Sequence, residues 1–268
     1  MKLTVLVDNN TYIDEYYFGE PAVSYYIEDE DKHILFDVGY SDIFLRNAEA
    51  MGIDLSKVTH VVLSHGHNDH TRGLQFLQEK VGMRDKKLIA HPACFWPKCY
   101  EGLQVGAPYS EQEMRLIADY MPCKTTYRIT ENLIFLGEIP RENSFENRTS
   151  IGMYEENGKW KDDYLIDDTA VVYKVERGIF IITGCSHSGI CNIIEYAKKV
   201  CGDDRILGVL GGFHLLKQNE QLEKTIEYLQ ECQIEMLYPC HCVSLQAKAK
   251  MMEKMAVTEV GVGMKLEL

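Results

Sequence analysis

Val58-Thr59-His60-Val61-Val62-Leu63-Ser64-His65-Gly66-His67-Asn68-Asp69-His70-Thr71-Arg72-Gly73-Leu74 is the stretch on which the reading of this chain turns. Its first seven residues are short, apolar and β-branched, the pattern of a buried strand. The next six gather three of the nine histidines of the chain and one aspartate. Imidazole nitrogens and a carboxylate together suit zinc, iron or manganese. Gly66 is expected to let the backbone turn sharply between the first two histidines. Leu74-Gln75-Phe76-Leu77 can then start a helix. A strand-to-helix loop at the carboxyl end of a strand is where α/β sites usually sit. Chance scatter of surface histidines would not concentrate them so, and the hexapeptide reads as a metal-binding loop.

Upstream, residues 2–7, 23–28 and 32–39 read as strands, the last ending in Asp37-Val38-Gly39. Short turn-rich spacers between them predict an antiparallel meander. Residues 41–51 carry a helical pattern. Residues 92–128 hold Pro92, Pro97, Pro108 and Pro122 around a helix-like 112–120. That segment reads as an insertion over the active-site face of one domain spanning 1–268. Further on, 132–136, 151–154, 170–175 and 179–183 look like strands. Two helix-then-strand units follow, 192–200 with 206–210 and 221–232 with 234–237. Two β-rich halves, each covered by helices, predict an α/β chain folded as a four-layer αββα sandwich.

The 28 lysines and arginines face 41 aspartates and glutamates, a net charge of −13 over 268 residues. Such a chain is a poor binder of phosphate backbones, so nucleic acid is not expected as a partner. A small-molecule substrate, anionic ones included, remains compatible with a local basic pocket. The first residues read as a strand and not a signal peptide, and no stretch is apolar enough to span a bilayer. No membrane association is expected. Nine cysteines in such a chain read as reduced thiols, which predicts a cytoplasmic address. The oligomeric state is left open.

Other residues carry weaker signals. His214 follows strand 206–210 and Gly211-Gly212, and should face the same end of the sheet as the hexapeptide, as ligand or proton donor. His33 and His60 lie in strand-like surroundings and read as structural. His91, at a strand end before Pro92, is balanced between structure and substrate contact. Cys94 and Cys99 are too widely spaced for a redox pair, and Cys240-His241-Cys242 has no second knuckle, so a separate zinc finger is not expected. Lys98, Arg141 and Arg148 are loop cations that could meet an anionic group on a substrate.

His65-Gly66-His67-Asn68-Asp69-His70 resembles the His-x-His-x-Asp-His signature of the metallo-β-lactamase superfamily, and Leu35-Phe36-Asp37-Val38-Gly39 resembles its upstream strand end. Ile181 to Ile190, Gly211-Gly212-Phe213-His214-Leu215 and Pro239-Cys240-His241-Cys242 look like one subgroup, which includes the dihydropterin ribofuranosylaminobenzene-phosphate synthases and uncharacterised bacterial relatives. The resemblance implies two divalent ions, zinc foremost, with manganese, iron or magnesium as alternatives. It implies His65 and His67 on the first metal, and Asp69, His70 and His241 on the second. Cys185 stands where the superfamily has a bridging aspartate, and a thiolate can also bind metal. His187 could complete the first metal's set. Asp168, where a third histidine usually comes, is a lesser candidate.

The implied activity is metal-dependent hydrolysis of a small-molecule ester, phosphoester or related bond by a metal-activated hydroxide. Asp69 would orient that hydroxide and His214 would donate a proton. The alternative is a transferase condensing a dihydropterin diphosphate with an aminobenzene-ribose phosphate. Phe95, Trp96, Tyr100 and Tyr109 could then stack on the pterin. A di-iron redox protein would need a flavin partner on another chain, and a non-catalytic binding protein would not need the intact signature.

Overall fold

The computed structural model describes residues 1–146 and 149–268. They form two compact units. The first comprises Met1–Lys124, Ser150–Asp163 and Gly261–Leu268, and the second Thr125–Thr149 and Tyr164–Val260.

The first unit is built on a seven-stranded sheet. Its order is Lys265–Glu267, Lys2–Val7, Ser24–Asp29, Lys32–Phe36, His60–Val62, Lys87–Ala90 and Asp119–Pro122. The strands up to Lys32–Phe36 pair antiparallel, as the turn-rich spacers predict. From there the pairing is parallel. Parallel neighbours need crossover connections, which helices Ile43–Ala50, Leu74–Lys80 and Glu111–Ile117 supply. Phe44 and Ala48, Leu74 and Leu77, and Met114 are the buried stripes of those helices, clustered with Leu6, Leu35, Val61 and Leu88 of the sheet. Each such large apolar side chain, fully buried, contributes about 1.5–3 kcal/mol.

The helix expected over 112–120 is shorter than its pattern. It starts in a capping box between Ser110 and Glu113 and stops at Ile117. Asp119–Pro122 instead pairs with Lys87–Ala90 as the sheet's last strand. A four-stranded sheet of Lys159–Asp162, Met153–Glu156, Lys98–Tyr100 and Leu103–Gln104 completes the unit. Buried Lys98 is tied beneath it to Asp163 at 2.8 Å.

The second unit repeats the plan. Its sheet runs Met236–Pro239, Ile206–Gly211, Gly178–Thr183, Ala170–Val175, Leu133–Phe135 and Tyr127–Arg128. The first three are mutually parallel and the rest antiparallel. Helices Ile190–Cys201 and Glu220–Glu231 make the parallel crossovers, and Leu245–Met252 follows the last strand. Ile193, Ile194, Ala197, Leu222, Ile226 and Leu229 pack on Val172, Ile181 and Val209.

Candidate metal centre

Each unit gathers metal-competent side chains in the same topological place, the loops after the carboxyl ends of adjacent parallel strands.

In the first unit Asp37 follows Phe36, and Ser64 to His70 follow Val62. Asp37 is fully buried with φ 56°, a left-handed conformation in which a non-glycine residue is held only by its surroundings. Its carboxylate is a hub. Oδ1 accepts from the Ser64 amide at 2.7 Å, and Oδ2 accepts from Ser64 Oγ at 2.6 Å and His70 Nδ1 at 2.7 Å. With its own hydrogen committed to Asp37, Ser64 Oγ accepts from His65 Nδ1 at 2.9 Å. One carboxylate thus fixes the tautomer of two imidazoles and leaves both Nε2 atoms with lone pairs. His65 Nε2 lies 3.1 Å from His67 Nδ1, and His70 Nε2 lies 3.5 Å from Asp69 Oδ2. A lone pair facing a carboxylate oxygen is unfavourable unless a cation joins them, and the donor set is one that zinc, iron or manganese accepts.

Gly66 lies at a bend of the backbone between the two histidines, as its position suggested, but the bend is not the only reason for a glycine there. It is absent from the positive-φ residues, but a Cβ there would meet the Cys94 carbonyl oxygen at 2.1 Å. The glycine lets the 92–95 turn press against the loop. His91 begins that turn, its Nδ1 accepting from the Ala93 amide at 3.1 Å. This bond gives His91 a capping role.

In the second unit Cys185 and His187 follow Thr183, His214 follows Gly211, and His241 and Cys242 follow Pro239. These are the ends of three neighbouring parallel strands. The His187 and His214 rings lie 4.5 Å apart, centroid to centroid. The His214 amide donates to Cys242 Sγ at 3.2 Å. Burial pushes the Cys242 thiol up, but hydrogen bonds with Cys185 and His214 and the charges of His241 and His214 outweigh it and hold the thiol well below its usual range. Ser186, His214 and His241 have φ of 55°, 49° and 50°. Gly211-Gly212, which could pass for a flexible lead into His214, is locked. A Cβ on Gly211 would meet the Thr183 carbonyl oxygen at 2.2 Å, and one on Gly212 would meet Cys242 Sγ and the Gly184 oxygen at 2.5 Å. Thr183 Oγ1 and Ser186 Oγ both donate to the Gly212 carbonyl, at 2.9 and 2.6 Å.

Asp168 is buried, and its Oδ2 accepts from the amide and hydroxyl of Ser188. Burial pushes its carboxyl up to about 6, against the pull of Ser188. Lys98 is committed to Asp163, and Arg141 donates to the Tyr164 and Leu165 carbonyls. Arg148 lies outside the described residues. Of the aromatics, Trp96 stacks on Tyr154 at 4.9 Å and Phe95 meets Tyr120 edge-on at 5.3 Å. Asp37, Ser64 and Cys242 are site residues that residue type and spacing alone do not mark. The Asp-x-Gly strand end and the serine before His65 were the available signals.

The family model for the metallo-β-lactamase superfamily matches residues 17–241. The chain belongs to the metallo-β-lactamase superfamily. It has that superfamily's α/β sandwich fold, matching the crystal structure of Tm1679, described as a metal-dependent hydrolase of the β-lactamase superfamily, with a TM-score of 0.86 at 29% identity over 100% of this chain and 99% of that one. It is 34% identical to an uncharacterized protein of Methanocaldococcus jannaschii, covering 93% of each. It is 28% identical to the 7,8-dihydropterin-6-methyl-4-(β-D-ribofuranosyl)-aminobenzene-5'-phosphate synthase of the same organism, over 95% of this chain and 91% of that one. Within this superfamily member, the His/Asp cluster of the first unit carries the signature, and the Cys/His cluster of the second lies at its later strand ends. Among the described residues, no helix is long and apolar enough to cross a membrane.

Proposed function

We propose that this chain is a metal-dependent hydrolase of a small-molecule ester, phosphoester or related bond. Its divalent ions, two in number with zinc foremost, would be held by His65, His67, Asp69 and His70 together with Cys185, His187 and His241. The observation that carries this reading is the Asp37 relay, which spends the Nδ1 protons of His65 and His70 and presents both Nε2 lone pairs. A bound divalent ion supplies Lewis acidity and lowers the pKa of water. The chain's own part is positioning and proton transfer. The Asp69 carboxylate orients the attacking water by accepting its hydrogen. His214 gives a proton to the leaving group. It is the histidine of the second unit aligned by a hydrogen bond from its own amide to Cys242, with its ring beside His187. The cytoplasm, where thiols stay reduced, suits the nine unbridged cysteines.

The second reading is the transferase, favoured by the synthase relative whose similarity spans 95% of this chain. The same donors would serve it, with the amine nitrogen of the aminobenzene-ribose phosphate in place of water as nucleophile, losing its proton as diphosphate departs. The deciding experiment is elemental analysis of the purified protein followed by a screen of phosphodiesters, lactones, thioesters and pterin diphosphates. Turnover with water alone supports the hydrolase. Turnover of the pterin diphosphate only when an aminobenzene-ribose phosphate is present supports the transferase. His67→Ala is expected to lose metal and activity together. His214→Ala should keep its metal and slow turnover by roughly 10²–10⁴-fold, the scale of a general acid. A metal-depleted His214→Ala would make His214 a ligand.

A further inference from the structure

We propose that Asp168 is a positioning residue for the Cys185 and His187 donors, acting through Ser188. The inference rests on those two residues being ligands. Asp168 grips Ser188 with both of the serine's donors, the amide at 2.8 Å and the hydroxyl at 2.5 Å. The first unit uses the same grip, in which Asp37 takes the Ser64 amide at 2.7 Å and hydroxyl at 2.6 Å. In each case the gripped serine is the chain neighbour of a histidine. The order is reversed, Ser64-His65 in one unit and His187-Ser188 in the other. The two units thus share one device.

The remaining contacts make the loop rigid on both sides of His187. Ser186 is left-handed, and its Oγ donates to the Gly212 carbonyl at 2.6 Å and lies 3.0 Å from Thr183 Oγ1. Gly189, at φ 98°, has no room for a side chain against Glu146. The Ser188 carbonyl accepts from Asn192 Nδ2 at 2.9 Å. With its amide, hydroxyl and carbonyl all taken, Ser188 fixes where the His187 backbone leaves the loop.

A carboxylate is a costly choice for a mere turn clamp. Asp168 is 1% exposed, and its Oδ1 makes no hydrogen bond. A buried acceptor left unmet costs about 1–3 kcal/mol. Asparagine could accept the same two bonds through its single oxygen without burying a charge. The negative charge is what asparagine lacks, and a carboxylate behind a ligand loop orients the ligands and raises their basicity.

The test uses the full chain exchanged into cobalt(II). Affinity is read by competition with a chromophoric chelator, and geometry by the visible ligand-field and thiolate-to-cobalt bands. Asp168→Asn should weaken cobalt binding by roughly 10–100-fold, the usual effect of losing a partner behind a ligand, and shift the bands. Ser188→Ala should do the same, and Ser188→Thr should restore the wild-type spectrum. Thermal unfolding of metal-free Asp168→Asn is expected at the wild-type temperature. A lowered unfolding temperature with unchanged cobalt affinity and spectrum would make Asp168 structural and overturn the proposal. So would wild-type behaviour of both Asp168→Asn and Ser188→Ala. His187→Ala and Cys185→Ser are the controls. If they too leave cobalt affinity and spectrum unchanged, the ligand assignment has failed, and the positioning role with it.

Discussion

In the first unit the donors hang from loops secured by one buried carboxylate, Asp37, whose hydrogen bonds reach Ser64, His70 and, through Ser64, His65. In the second, the Asp168 grip reaches only the Ser188 loop, and the donor loops are secured to one another by close backbone contact. There Gly211 and Gly212 admit no side chain, three neighbouring non-glycine residues are left-handed, and sulfur lies among the imidazoles. Both units use the carboxyl ends of neighbouring parallel strands, so topology does not explain the difference. Distance along the chain does. In the first unit the donors lie within one hexapeptide, and a single acceptor can reach two of its rings. In the second they come from three loops more than fifty residues apart end to end, and backbone must be fitted to backbone. Short-range sites can be organised by a side chain, whereas dispersed ones need the loops themselves locked together.

This contrast is broken most directly at Asp37. Asp37→Ala leaves the Ser64 amide, the Ser64 hydroxyl and His70 Nδ1 without their acceptor, at about 1–3 kcal/mol for each buried donor left unmet. Denaturant unfolding should show a loss of several kcal/mol, and elemental analysis a loss of metal. A variant of near-native stability would mean that the first unit is held by something other than its carboxylate.

Next in size is a pair of glycine replacements. Gly66→Ala drives a methyl to 2.1 Å from the Cys94 carbonyl, and Gly212→Ala drives one to 2.5 Å from Cys242 Sγ and the Gly184 oxygen. Overpacking of this kind costs about 1–3 kcal/mol. Metal affinity should fall more in Gly212→Ala, because that methyl strikes Cys242 Sγ and Gly184 and parts two donor loops, whereas the Gly66 methyl strikes the Cys94 carbonyl, outside the donors. Equal affinities would erase the distinction between a side-chain-held and a backbone-held cluster.

The smallest effect concerns Glu146, a second carboxylate, after Asp168, that steadies the second unit's loop from behind. It accepts from the amides of Cys191 and Asn192 at 2.9 and 3.0 Å and from Asn143 Nδ2 at 2.7 Å. Burial raises its pKa against these bonds. A raised carboxyl contributes stability that is fully present below the ordinary carboxylate range and lost as pH rises through the raised value. Glu146→Gln should therefore cost about 1 kcal/mol at acid pH, the worth of one hydrogen bond, and remove that decline. Unfolding free energies measured from pH 4 to 8 check it. A wild-type curve parallel to the variant's would show that Glu146 does not titrate with folding.

Much of this was readable before folding. The hexapeptide, the strand before it and the antiparallel meander were legible because burial and turns leave local patterns. Helices at 192–200 and 221–232 were legible for the same reason, and are found at Ile190–Cys201 and Glu220–Glu231. Asp119–Pro122 was not, because its strand character comes from pairing with Lys87–Ala90 and not from its own residues. Of the small sheet, the strand expected at 151–154 is found at Met153–Glu156, whereas its partner Lys98–Tyr100 was invisible for that reason too. In the site, residue types marked the histidines but could not show that one aspartate sets two tautomers. The bend at Gly66 was legible too, but a sequence shows a missing side chain without showing what fills its place.

That filled place has an evolutionary reading. The Cys94 carbonyl and the α-carbon of residue 66 occupy one shared space, so neither segment is free to drift alone. A homologue with any side chain at this position must have rebuilt the Pro92–Phe95 turn. A library randomised at 66 should return glycine, and other residues should survive selection only where 92–95 is randomised with it. The spacing of the signature is thus inherited together with a stretch of chain more than twenty residues away.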